Sequence, residues 1–431
     1  MPACRKPSLE ALEDRVLMSG NVIAALSGGV LTITGDSGNN VITLTEVGNK
    51  VTITPDATTK INKALAGAAV DILGVTGAIK INETGAGNDS VTIAGQAIGG
   101  VATPFSVGNG NADLTINLGA GNDRLLIEGG LARNVAITTG KGNNAITITG
   151  LNPDGAAGGP ADVRTVINGN LSVTGKAGND TIVLRGIKVG GNVSLPVGQG
   201  GNYALITPYA GSDANFDVTI GGSFSYDSSL AFKSNYVTFD DPANVGAIHI
   251  GGSVTILLGL MDDAALVTPA AHLTVGGSMF INGCMGNDTL SVNSAKIGTL
   301  LIINGDFGNN IDNATNVTTG VATWIDGHLI LSSSIASKLP AGWNLSQLSG
   351  LTSLLSQFGV TSLSGLSLPS WLTPILSSMT GLNLSSLTGL CNLGISTSTL
   401  STLSKLSGLS GNCSSTVASL LSKLSGLSIK F

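Results

Sequence analysis

Aspartate is the chemically active side chain that this sequence repeats at fixed places. Asp240-Asp241 and Asp262-Asp263 form doublets, and two carboxylates facing one cleft, one held protonated, are what glycoside hydrolysis requires. Adjacent residues of a strand point to opposite faces, so neither doublet is an acid/base pair by itself. Both read as solvated turns. Asp89, Asp123, Asp180 and Asp288 each close a Gly-Asn-Asp turn. His249, His272 and His328 are scattered, and the first two precede equivalent Gly-Gly-Ser turns, a placement that the repeat explains without a metal. The sequence contains no nucleophile elbow, phosphate loop or dinucleotide fingerprint.

The turns belong to a repeating unit. In residues 275–311 three short apolar runs, Met279–Ile281, Leu290–Val292 and Leu300–Ile303, are separated by Gly/Ser and Gly-Asn-Asp turns, and then the order begins again. Alternation over four or five residues with β-branched enrichment signals strands, and Gly with Asn or Asp supplies the positive-φ positions of tight turns. The second glycine of the turn recurs at Gly38, Gly87, Gly121, Gly142, Gly178, Gly286 and Gly308, with gaps of 49, 34, 21, 36, 108 and 22 residues. The gap of 49 reads as about two units. Gly-Gly-Ser-like turns fill the gap of 108, and 152–160 reads as a protruding loop.

Three short strands in roughly 22–25 residues are the unit of an all-β parallel β-helix, or β-solenoid. About a dozen coils over 21–326 would stack into a rod on the order of 55–60 Å long, at ~4.8 Å per coil. A β-sandwich array is the other fold considered, and it would use longer strands and less repetitive turns.

Gly119–Leu125 resembles the RTX, or hemolysin-type, calcium-binding nonapeptide, as do the stretches opening at Gly85, Gly175 and Gly283. The resemblance implies calcium as cofactor, with Asp89, Asp123, Asp180 and Asp288 as ligands. Calcium takes about six to eight oxygens, and aspartates of adjacent turns could supply several. The pattern departs from RTX repeats in appearing once per coil, and Asn40, Asn144 and Asn310 replace the acid. Purely structural turns, with Asn side chains hydrogen-bonding along the axis, are the competing reading.

Near the N-terminus, Leu12-Glu13-Asp14-Arg15-Val16-Leu17-Met18 resembles the L-E-P-R-x-L-L segment of planctomycete-type extracellular β-strand-repeat proteins, with Asp14 in place of Pro and Met18 in place of Leu. The resemblance covers about a dozen residues of 1–20 and implies an export or sorting segment, hence a secreted or cell-surface protein.

Composition narrows the function further. Sixty-one glycines, 11% charged and 4% aromatic residues are unusual for an enzyme of 431 residues, and a net charge of −6 without a basic cluster argues against nucleic acid. No run of ~18 apolar residues suggests a transmembrane helix. After Asp326 no acid occurs, only Lys338, Lys405, Lys423 and Lys430, which marks 327–431 as a separate Leu/Ser/Thr/Gly-rich region. Its repeated L-S-K-L-S-G-L-S, offset by 18 residues, suits short amphipathic helices that cap the solenoid, attach to an envelope surface or self-associate. Cys391 and Cys413 share this region and form one disulfide if the protein is exported; free buried thiols are the alternative. These features describe a non-enzymatic exported or surface-associated solenoid, structural or adhesive, whose partners are cell-envelope or extracellular-matrix components. A carbohydrate-active β-helix enzyme is the alternative, and it requires a lateral groove with facing carboxylates, or carboxylates beside Arg164, Arg185 or Lys188.

Overall fold

The computed structural model describes residues 20–99, 101–151, 162–210, 215–244, 246–326 and 328–331. Most of the N-terminal segment, the 152–160 insertion and the tail from 332, with Cys391 and Cys413, lie outside them. One coil shows how the chain winds. Leu114–Asn117 lies in a first sheet, Arg124–Glu128 in a second and Gly130–Ala132 in a third, before Val135–Thr138 returns to the first. The return strand pairs in parallel with the one that began the coil, Leu114 opposite Val135 and Ile116 opposite Ile137. Repetition of this path gives sheets of 14, 12 and 9 strands. The protein is an all-β parallel solenoid.

Binary alternation sets which side chains enter it. In Val30–Gly35 and Ser90–Ala94, every second residue is buried, because successive strand residues face opposite sides of the sheet. Parallel register then stacks like positions. Leu31, Ile79, Leu114, Val135, Leu171 and Val193 form one continuous interior column. Each fully buried Val, Leu or Ile contributes about 1.5–3 kcal/mol relative to exposure. A single coil has nothing to bury these residues against, so the stack is the stable unit.

Two features of the first coil differ from expectation. The interval from Gly38 to Gly87 is one coil rather than two, since Gly35 pairs directly with Glu83 and Asn40 reaches Asp89. The additional residues build an antiparallel hairpin, Val41–Val47 with Lys50–Pro55, flanked by Val70–Leu73. With Asn21–Ser27 antiparallel to Val30–Gly35, these strands cover the N-terminal end of two sheets. At the other end His328–Leu331 runs antiparallel to Ala322–Ile325. Between the two ends the stack contains about ten coils, roughly 50 Å at the usual strand spacing.

The glycines of the Gly-Asn-Asp turns meet two demands at once. Gly142 has φ +124°, and a Cβ there would sit 1.9 Å from the Gly121 carbonyl of the preceding coil. Side chains rarely adopt that conformation, and the contact leaves no space for one.

Two substitutions should separate column packing from surface composition. Leu184→Ala, inside the stack, should lower stability by about 2–5 kcal/mol, whereas Thr147→Ala on the outer face should change it by less than about 0.5 kcal/mol. Urea unfolding followed by circular dichroism reads both; equal losses would contradict the inward column.

Candidate functional site

The recurrent aspartates come together in a single file. Each Gly-Asn-Asp or equivalent turn places its last residue, Asp or Asn, inside the corner between the first and second sheets. The file runs Asn40, Asp89, Asp123, Asn144, Asp180, Asn202, Asn235, Asp263, Asp288 and Asn310. The backbone N–H of each donates to Oδ1 of the next, at 2.6–3.0 Å throughout. Asp89, Asp123, Asp180 and Asp288 are no more than 2% exposed. All four candidates therefore occupy one continuous ladder, along with Asp263. That last placement corrects the reading of Asp262-Asp263 as a solvated doublet: Asp262 is exposed, while Asp263 is 3% exposed and lies inside. Asp241 is likewise buried.

A second ladder follows the outside of the same turn with the opposite polarity. The N–H of Asn88 donates to Asn39 Oδ1, that of Asn122 to Asn88, that of Asn143 to Asn122 and that of Asn179 to Asn143, at 2.8 Å in each case. The Gly-Gly-Ser-like turns repeat the device through Asn134, Asn170, Asn192, Ser223, Ser253 and Ser278. At a turn the backbone N–H no longer points along the sheet ladder, so a side-chain oxygen from the neighbouring coil satisfies it.

The alternation of Asp and Asn has an electrostatic consequence. Asn144 donates both its backbone N–H and its side-chain Nδ2 to Asp180 Oδ1, at 3.0 and 2.8 Å, and Asn40 gives Asp89 the same pair of donors. Aspartate offers only its N–H to the next rung. Burial raises the pKa of Asp123 to about 6 and that of Asp288 to about 7, each following an aspartate, and it raises Asp263 to about 6 although Asn235 donates to it. Asp89 and Asp180 are also raised by burial, but the Asn donors oppose it.

Glu83 is a buried acid that the turn motifs do not reveal. It ends the strand Ile79–Glu83 in the inward phase set by Ile79 and Ile81, and it is fully buried opposite Gly35. Both its carboxylate oxygens and Asp123 Oδ2 lack a donor in hydrogen-bonding geometry among the described residues. Burial, then the charges of Asp89, Asp123 and Asp36, push its pKa up to about 8. In the coil pair further on, Thr139 donates to Asp180 Oδ2 at 3.1 Å. Glu83 occupies the position of Thr139 relative to Asp123, so as a neutral acid it can act as the same kind of donor. The I-K-I-N-E alternation of residues 79–83 carries its signal, at a strand end rather than in a turn.

The rungs have the geometry of a hydrogen-bond rail. A calcium ion needs about six to eight oxygens around it, whereas the groups between successive carboxylates here are N–H donors, and each Oδ1 already accepts one. Among the described residues no three His, Cys, Asp or Glu side chains are grouped to hold a metal. At the rungs each Oδ1 of the four aspartates is therefore committed to an N–H donor, while Oδ2 of Asp89, Asp123 and Asp288 has no hydrogen-bond partner among the described residues.

The remaining candidate residues lie off the ladder, and on the third sheet Lys188 and His249 flank Thr219 in register, beside Arg164 and Asp217. Arg164 donates to the carbonyls of Gly186, Ile187 and Asp217 and to Thr219 Oγ1. Arg185 lies 5.8 Å from the centre of the Tyr209 ring, and Lys188 is exposed. His249 Nε2 is 3.6 Å from Asp217, and His272 Nε2 is 3.1 Å from Asn244. Cys284 is disulfide-bonded, and the other three cysteines are outside the described residues. Comparison of the chain with protein-family models, with curated proteins and with solved structures returns no match.

The raised carboxyl pKa values predict a direction of pH dependence. A group that keeps its proton to higher pH when folded stabilises the fold below its ordinary pKa, and that contribution is lost as pH rises through the folded value. Stability should therefore fall from about pH 4, in the ordinary carboxyl range, to about pH 8, the highest of the folded values of Asp123, Asp288 and Glu83. Glu83→Gln should flatten the fall and exceed the parent by on the order of 2 kcal/mol at the alkaline end. Thermal melts across that range test it; a midpoint that rises with pH would contradict the buried neutral acid.

Proposed function

We propose that this chain is a non-enzymatic structural or adhesive solenoid of the cell surface or extracellular space. The observation that carries the reading is the fate of the recurrent acids and amides. The motif positions them once per coil, and the fold uses them to satisfy turn N–H groups of neighbouring coils, so the repeat's polar chemistry serves elongation. The outer faces repeat Thr, Ser and Asn in register, as at Thr92 and Thr147 on the two sides of Leu126 in the second sheet. Such a rod is suited to spacing or displaying groups. The resemblance of residues 12–18 to a sorting segment supports the location, and a disulfide at Cys284 suits an oxidising compartment. Envelope or matrix components are the partners this reading implies, together with further copies of the chain.

Asp217 lies beside Arg164 as the carbohydrate-active alternative requires, but Arg164 is engaged with backbone carbonyls and Arg185 with an aromatic ring, which weighs against it. The calcium-stabilised alternative is disfavoured by the N–H groups between the carboxylates.

Fractionation of producing cells, followed by brief protease treatment of intact cells, tests the location. The full chain should appear in the surface or medium fraction and be cleaved from outside; confinement to the cytoplasm would overturn the proposal. Melting with millimolar calcium and with a chelator should give the same midpoint, and a rise of several degrees in calcium would restore the RTX-like reading.

A further inference from the structure

One line of exposed apolar residues has no role in the ladder. The residue that precedes the turn glycine, or its equivalent, points to solvent once per coil. Along the N-terminal half of the stack this position holds Lys141, Ala177 and Gln199, adjacent rungs that are small or polar. Over the next four coils it becomes Phe232, Leu260, Met285 and Phe307. Register supports the line: the Leu260 N–H donates to the Ala231 carbonyl, Gly286 stacks over Met261, and Met285 bridges Phe307 in parallel. Phe232 is 61% exposed, Met285 45% and Phe307 59%, Leu260 between them is half-buried, and Met261 beside it is 47% exposed. The line is roughly 15 Å long at the coil spacing. A contiguous apolar stripe of this kind, confined to one end of an otherwise polar corner, marks a contact surface.

Three observations identify what covers it. Cys284 adjoins Met285 on the same turn, is disulfide-bonded and is 2% exposed. Its partner must come from outside the described residues, where Cys4, Cys391 and Cys413 lie, two of the three in the C-terminal region. Next, the chain leaves the described solenoid at Leu331, shortly after Asp326, and Asp326 shares with Phe307 and Asn310 the recess at this end of the stack. The residues from 332 to Cys391 or Cys413 are far more than the ~15 Å of the stripe requires, at ~3.3 Å per extended residue. Finally, Asp262, Asp306 and Asp326 flank the stripe and the recess, whereas 332–431 contains four lysines, no acid and Leu throughout.

We infer that residues 332–431 dock along Phe232, Leu260, Met285 and Phe307, and that a cysteine of that segment bonds Cys284. This pairing takes the place of a bridge between Cys391 and Cys413. Formation of the bond removes two protons and two electrons from the two thiols, and a disulfide donor met on export accepts them and becomes a dithiol. The docked segment covers the flank and open end of the last coils. The disulfide rests on the proposed export, whereas the docking contact is read under reducing conditions and can hold or fail whatever the location experiment finds.

Two measurements on the full-length protein test it. Proteolysis without reductant, with mass analysis of linked peptides, should join the Cys284 peptide to that of Cys391 or Cys413 in a monomer. A bond to Cys4, a bond to a second copy, or an unlinked Cys284 would overturn the assignment. In the second, the combined variant Phe232→Ser, Met285→Ser and Phe307→Ser, exposed positions outside the interior columns, is compared with the parent under reducing conditions. Cleavage within 332–431 should be several-fold faster in the variant, with the β-sheet circular dichroism signal retained. Equal cleavage rates with that signal intact would reject the stripe as the dock. A variant that loses the signal is replaced by Phe307→Ser alone, to which the same two outcomes apply.

Discussion

A coil of this protein is incomplete in two ways, and stacking repairs both. Its inward Val, Ile and Leu need another coil to cover them, and its turn N–H groups need an acceptor that the sheet ladder cannot supply. The second requirement is the stricter, because an unsatisfied buried N–H costs about 1–3 kcal/mol while apolar packing tolerates exchange among aliphatic side chains. The file from Asn40 to Asn310 answers it with one side-chain oxygen per coil. Oxygen placement is therefore the property held constant along the corner, and Asp, Asn and, at the other turn, Ser all provide it.

That constraint accounts for the composition of the corner and for its electrostatics. Aspartate and asparagine have the same shape and offer the same Oδ1, so they exchange freely as acceptors. They differ in what they pass on: asparagine adds an Nδ2 donor and aspartate adds a charge. Stacking charged acids one coil apart in a buried file is unfavourable, and interspersed Asn144, Asn202 and Asn235 relieve it. Burial makes the carboxyls of Asp123, Asp263 and Asp288 hold their protons more tightly, most of all at Asp288, which follows Asp263 directly. Glu83 adds an acid on the core side, in space left by the missing side chain of Gly35.

The ends of the stack show what happens when the repeat runs out. Antiparallel strands cover the first coil on two sheets. In the last coil the inward column reaches Asp312 opposite Leu290, and burial together with neighbouring Asp326 raises the Asp312 pKa to about 7. The apolar stripe from Phe232 to Phe307 lies at this same end. Core-type residues have moved to the outside there while acids enter the inside, a composition suited to a flank that receives further chain.

The sequence by itself determined the strand periodicity, the three-strand coil and the glycine turns. Each depends on residues close together in the chain, through alternation, β-branching and the positive φ that Gly121 and Gly142 must adopt. It also marked Asp89, Asp123, Asp180 and Asp288 as equivalent, because a repeat makes equivalence visible as spacing. What those aspartates contact was decided by tertiary structure alone. An Asp at the end of a Gly-Asn-Asp turn can point outward to a cation or inward to the N–H of another coil, and the two choices have the same local sequence. The coil count between Gly38 and Gly87 was hidden for a related reason, since a hairpin insertion and a second coil add similar lengths. Glu83 and Asp263 became visible as buried acids only once register placed Gly35 opposite one and Asn235 beside the other. Stacking partners lie 21 to 49 residues apart along this ladder, and no local pattern encodes which oxygen will face which N–H across that distance.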